Sequence, residues 1–304
     1  MTQVPLKLRD WIDPSRLEWF ELSMNPNAIQ LLEKNLDNID WYGLSMNPNA
    51  VHILEQNPDK IVWSALCMNP NAIHLIEKNM DKIVDDYCWM HLSQNPNAYH
   101  ILKANFLKIK WPTVCRNTNP KVVEMVELNF NLLSSNRSNW SILSGNPAAT
   151  EMLRTKYFWN TDWVYLSMNP HPLAIRALEE NPDRINWFWL GKNPNAVHIM
   201  EQNPDKICWY WVVLNPNAIQ LLQQNPDNIN WSLLSENPSA IEMLEQNQER
   251  IIWGRLSSNP AIFVYDYVTM RENYRELKEE LIQRAWHPDQ VARWLEAGMD
   301  LEDL

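Results

Sequence analysis

Tryptophan returns in this chain in a fixed frame: Trp41 opens WYGLSMNPNAVHILEQNPDKIV, and Trp63, 22 residues later, opens WSALCMNPNAIHLIEKNMDKIV. The frame runs through Trp19, Trp41, Trp63, Trp89, Trp111, Trp140, Trp163, Trp187, Trp209, Trp231 and Trp253, stretching to between 23 and 29 residues where insertions fall. Ten units are complete and an eleventh begins. A unit this short cannot enclose a core of its own, so it must lean on its copies, and the repeat becomes the fold.

The local grammar of the unit is set by proline. Of 20 prolines, 15 directly follow asparagine. Asparagine is a strong helix N-cap and proline suits the next position, while the residue before proline disfavours the helical conformation, so Asn-Pro predicts a helix start and the end of the helix before it. Each unit then reads as two helices of about nine residues, one opened by Asn47-Pro48 and the other by Asn57-Pro58 and carried through Trp63. Helices this short are marginal alone in water and need neighbours. In NPNAVHILEQ the apolar face is Ala50, Val51, Ile53 and Leu54; in the other helix it is Trp63 and Leu66, with Ile61 on a second side. Burying a large side chain is worth about 1.5 to 3 kcal/mol, so the stacked Trp positions are expected to dominate stability.

The expected fold is all-α: a solenoid of ten to eleven two-helix units. At about 8 to 10 Å per unit it reaches on the order of 90 to 100 Å along its path. The boundaries are an N-terminal cap at 1–18, repeats at 19–269, and C-terminal capping helices with an acidic tail at 270–304. In the cap, Asp13-Pro14 copies the Asn-Pro start, with Leu17 in the place of Ile61. At the other end AIFVYDYVTMRENYRELKEELIQRAW reads as a longer amphipathic helix, and HPDQVARWLEAG as a last one closed by Gly298. A leucine-rich repeat is the rival, having the right period; against it, Ser usually fills the inner position of the LxL pair and NPNAIxLLE reads as a capped helix.

Composition limits function. The net charge of -11 and the absence of a Lys/Arg run argue against nucleic acid or an anionic membrane as partner. No apolar stretch suggests a signal peptide or membrane span. The cysteines Cys67, Cys88, Cys115 and Cys208 lack CxxC spacing, which suits a reducing compartment.

LSMNPNAIQLLEKN, NPDKIxW and the closing HPDQVARWLEAGMDLEDL resemble the Asn-Pro and Trp repeat proteins of giant DNA viruses of amoebae and algae, over nearly the whole chain. The resemblance implies repeat proteins of largely unassigned role and no catalytic residues to transfer. It departs around Trp111 to Trp163, where NPDKI is lost and Phe130 and Phe158 stand near the Pro position.

No nucleophile pattern, phosphate loop, GxSxG or HExxH is present, so the chain reads as non-enzymatic, without cofactor, metal or small-molecule substrate. His52, His74, His100 and His198 share one repeat position and read as solvated polar groups; Glu33, Glu55, Glu77, Glu127, Glu179, Glu201 and Glu245 read as an acidic ridge. Variation within the fixed frame is more informative. Where other units carry Gly43 or Ala65, units seven to nine carry Tyr165, Trp189 and Trp211, with Phe188 and Tyr210 beside them and Met168 and Leu214 three residues on. Large aromatic groups of this kind are either interface anchors or extra core. The expected function is a protein-binding scaffold, viral and host-directed, in host cytoplasm; the alternative is a structural component of a virion. A ubiquitin-ligase adaptor would want an F-box-like segment, and VPLKLRD is too short for one.

Overall fold

The computed structural model describes residues 4–133 and 136–297, and almost all regular structure in it is helical. It divides into two compact units: the repeats, Asp10–Ile262, and a smaller unit made of Met1–Arg9 with Phe263–Leu304.

A repeat is built from three short pieces, not two nine-residue helices. In the second unit they are the Trp helix Trp41–Met46, an outer helix Val51–Gln56 and a single 3-10 turn Pro58–Lys60. Ile61 is extended (φ -64°, ψ 125°), so the helix expected to run from Pro58 through Trp63 breaks there and a new one starts at Trp63. The second Asn-Pro ends a helix as expected: the Asn57 side chain donates to the Ile53 carbonyl at 2.9 Å, closing the outer helix. Phe130 and Phe158 begin the same turn without proline, which explains how the degenerate units keep their shape.

The first Asn-Pro has a different job from the one expected. The outer helix is preceded by Ala50, which makes no side-chain cap, while Asn47 is 1% exposed and turned toward the previous unit. Its Oδ1 accepts from the Asn49 N–H at 3.0 Å, and its Nδ2 donates to the carbonyls of Ser23 at 3.0 Å and Asn25 at 2.9 Å. A buried amide must fill its hydrogen-bonding capacity, and the neighbouring backbone supplies what the unit's own first turn cannot. The same bonds recur at Asn69, Asn95, Asn117, Asn146, Asn193, Asn215, Asn237 and Asn259; Asn169 substitutes the Thr150 hydroxyl for one carbonyl. A serine ladder runs beside it: Ser45 Oγ donates to the Trp41 carbonyl and accepts from the N–H of Val62, the residue just before the next Trp helix.

These ladders do not stop at the ends. Asn25 Nδ2 donates to the carbonyls of Ser257 at 3.0 Å and Asn259 at 3.1 Å, Asn27 to that of Pro260 at 2.9 Å, and the Glu18 N–H donates to Ser257 Oγ at 2.9 Å. Each bond repeats, between the first and last units, one that joins ordinary neighbours. The Trp helices Trp19–Met24 and Trp253–Ser257 likewise pack on each other. The all-α solenoid is therefore closed into a ring of eleven Trp helices, in which the first and last repeats cover each other where separate caps were expected. A path on the order of 100 Å closed on itself is about 30 Å across at the helix axes.

The core is leucine, not indole. Leu22, Leu44, Leu66 and Leu92 on the Trp helices and Leu32, Leu54, Ile76 and Leu102 on the outer helices are at most 1% exposed, with Ala28, Ala50, Ala72 and Ala98 between them at 0%. Of the repeating tryptophans only Trp89, Trp140 and Trp253 are buried; the rest are half-exposed. The indole column lies at the joints, where in several units a cation from the unit's own closing 3-10 turn covers it: Arg184 over Trp163 at 5.0 Å, Arg250 over Trp231 at 5.0 Å and, across the closing joint, Arg16 over Trp253 at 4.1 Å. Such contacts are worth about 0.5 to 1 kcal/mol when exposed, less than a buried leucine.

The closing joint gathers carboxylates. Glu21 is held above the ordinary carboxyl range by partial burial, then by Glu236 and Glu18, with Arg255, which pairs with Glu236, opposing. A carboxyl whose pKa is raised on folding favours the folded state below its unfolded value and opposes it as pH rises through the folded one. Glu21→Gln should therefore raise the denaturation midpoint at pH 7 and leave it unchanged at pH 3, as read by urea titration at both values.

In the smaller unit, β1 (Leu6–Leu8) pairs antiparallel with β2 (Phe263–Tyr265), Leu6 opposite Tyr265. The long helix expected from Ala261 starts later, because Phe263–Tyr265 pairs as β2: it is Tyr267–Ala285, opened by Asp266, and the last is Pro288–Glu296; Gly298 and the acidic tail lie outside the described residues.

Candidate functional site: a stacked aromatic wall

In a closed ring the helices that approach most closely from unit to unit form the inner row. Contacts between neighbouring units run mainly through the Trp helices, so these line the inside and the outer helices diverge around them. Along a Trp helix the buried leucine and serine lie three and four residues after Trp, toward the outer helix. Positions two and five after Trp therefore point the other way, into the ring. Gly43 shows how close the inner row comes: a Cβ there would meet the Phe20 carbonyl at 3.0 Å.

Units seven to nine place their large residues on this face. The structure brings Tyr165, Trp189 and Trp211 into one stack, with ring centroids 6.4 Å and then 5.6 Å apart and planes within 21° and 17°. Phe188 and Tyr210 form a second parallel pair at 6.2 Å and 9°, each set edge-on to the tryptophan that follows it, at 5.3 and 5.0 Å. Offset-stacked and edge-to-face pairs each add about 0.5 to 1.5 kcal/mol beyond area, so the patch is preorganised. The patch is part packing and part surface: Tyr165, Trp189 and Trp211 are half-buried, and Phe188 and Tyr210 are 41% and 49% exposed. Lys192 Nζ lies 5.0 Å over the Trp211 ring, at the position five after Trp that Met168 and Leu214 occupy in the flanking units. Tyr165 and Met168 also border a cavity of about 290 Å³ with Arg116, Ile142 and Gly145. Met24, Met46 and Met68 hold the matching inner position in units one to three, and methionine suits a surface that must adapt to its ligand. That methionine run was legible in LSMNP and CMNP, but only closure shows that it faces the aromatic stack's side of the wall.

The histidine column resolves into pairs. Nε2 of His52, His74 and His198 lies 2.8, 2.9 and 2.8 Å from Glu33, Glu55 and Glu179 of the unit before, and His100 pairs with Glu77 in the same way. These are joints between outer helices, so part of the acidic ridge is engaged, not freely solvated. Burial pushes the Cys88 thiol up to about 11 and Cys115 to about 12, and Cys67 higher still, which leaves little thiolate at neutral pH. Among the described residues no helix is long and apolar enough to cross a membrane.

One depression lies away from the wall. Between the sixth and seventh units Arg137, Trp140, Ser141, Trp159, Asp162 and Trp163 border about 600 Å³ of open volume. Sequence reasoning did not single it out, although Trp159 stands where NPDKI units carry Asp. No family model, curated protein or solved structure matches the chain.

Proposed function

We propose that this chain is a non-enzymatic protein-binding scaffold that grips an apolar segment of its partner on the inner wall of the ring. The observation that carries the reading is the stack Tyr165–Trp189–Trp211, held in order across three units and left accessible. Rigid aromatic anchors of this kind lose little entropy on binding and dominate interface energies. A host-directed viral role in host cytoplasm rests on the resemblance of the repeat text.

Crosslinking and mass spectrometry from infected cells supplies the partner. Trp189→Ala and Trp211→Ala are then compared with the parent in melting and in partner binding. The expected result is a loss of about 2 kcal/mol in binding per anchor, on the order of thirtyfold in Kd. Lost stability with unchanged binding would make the stack a structural brace. Stoichiometric recovery of the chain from purified particles would point to the virion role instead.

A further inference from the structure

The geometry points to a second binding site, independent of the inner wall: the depression at the joint of units six and seven takes an acidic sugar. Trp159 is 93% exposed, the largest aromatic side chain placed where its homologous positions carry Asp59, Asp183, Asp205 and Asp227. A lone exposed apolar residue needs no explanation, but one that borders a 600 Å³ depression with two further indoles does.

The indoles are not equivalent. Trp140 is buried and packs on Phe130 and Tyr157 at 4.5 and 5.5 Å, and the Trp163 ring is already covered by Arg184. Trp159 touches Phe158 edge-on, which leaves it as the open platform.

The polar groups decide what the platform takes. Asp162 is spoken for: Oδ1 accepts from the Val164 N–H at 3.0 Å and Oδ2 from the Ser141 hydroxyl at 2.5 Å, so the carboxylate is fixed in place. Arg137 has no ion-pair partner among the described residues, and its guanidinium borders the same space. An arginine without an ion-pair partner at this border disfavours a cationic ligand, which argues against an aromatic cage for ammonium groups. It offers a two-pronged fork to a carboxylate or sulfate. The Asn160 and Thr161 side chains add groups that both give and accept hydrogen bonds. A pyranose meets all three demands: its C–H face lies on an indole, its hydroxyls bond with mixed donors and acceptors, and an acidic substituent pairs with Arg137. The volume has room for one or two sugar rings.

The test is a titration of the full chain with glucuronic acid, N-acetylneuraminic acid and glucose, followed by saturation-transfer NMR of the sugar C–H protons and by indole fluorescence. Expected is saturation by at least one acidic sugar, with glucose binding at least about tenfold more weakly, a difference of about 1.4 kcal/mol. Trp159→Ala should abolish saturation with melting unchanged, because the side chain is almost wholly exposed. Arg137→Ala should bring acidic and neutral sugars within about twofold of each other, and Arg137→Lys should restore part of the preference. Failure of both acidic sugars to saturate, undiminished binding by Trp159→Ala, or saturation by adenosine monophosphate in their place would overturn the assignment. None of these outcomes depends on the partner of the inner wall, so the two sites stand or fall separately.

Discussion

Replacing Asn47 by alanine should lower the unfolding free energy by about 3 kcal/mol or more, the largest effect expected from any single polar substitution in the ring. The side chain is 1% exposed and makes three hydrogen bonds, two of them to backbone carbonyls of the preceding unit. Alanine would leave those carbonyls and the Asn49 N–H buried without this partner, and each unsatisfied group costs about 1 to 3 kcal/mol. The control is Asn49→Ala, which removes one bond, to the Pro26 carbonyl, at an exposed position and should cost about 0.5 to 1.5 kcal/mol. Urea unfolding curves with matched slopes measure both. A loss below about 1 kcal/mol at Asn47 would mean that leucine packing, and not the amide ladder, aligns the units. Because Asn25 makes the same bonds across the closing joint, Asn25→Ala should be as costly and should also widen the particle in X-ray scattering.

The second large effect concerns connectivity. In an open, uncurved solenoid the ends would lie on the order of 90 to 100 Å apart and no short linker could join them. In β1 and β2, Leu6 lies opposite Tyr265, so an Asn-Gly turn joining Tyr265 to Leu6 completes an ordinary two-residue hairpin. New termini fit between Val84 and Asp85, an inserted stretch where Val84 is 77% exposed. This permutant omits residues 1–5 and 266–304, so it should keep the parent's helical circular dichroism apart from the contribution of Tyr267–Ala285 and Pro288–Glu296, with an unfolding free energy within about 2 kcal/mol of the parent's. Aggregation, or loss of most of the helical signal, would show that the chain does not close on itself.

Much of this could be read from the residues. The period, the helical class, the register of leucines and the breaking power of Asn57-Pro58 follow from local rules: proline lacks an N–H, and apolar side chains at helical spacing must be covered. The aromatic residues of units seven to nine were legible as departures from a fixed frame. The misreadings share one cause. Asn47 looked like a helix cap because capping is the best local use of that side chain, but a neighbouring backbone outbid it once the residue was buried. Trp63 looked like core because indole carries the most area, yet it is only half-buried: a ring that large fits better at a joint than between helices spaced by alanine and glycine. Trp159 gave no periodic signal because it is a single substitution in the most irregular unit.

What the sequence determined alone is the unit: its length, its helices, its punctuation and the faces it must bury, all of which depend on interactions within about one period. Closure was decided by tertiary structure. A ring of eleven needs about 33° of turn at each joint, and that angle comes from the small difference in width between inner and outer rows summed around the path. No single residue encodes it; a few degrees at each joint separate a ring from an open spiral. The inner wall, and with it any role for its aromatic stack, exists only because the sum closes.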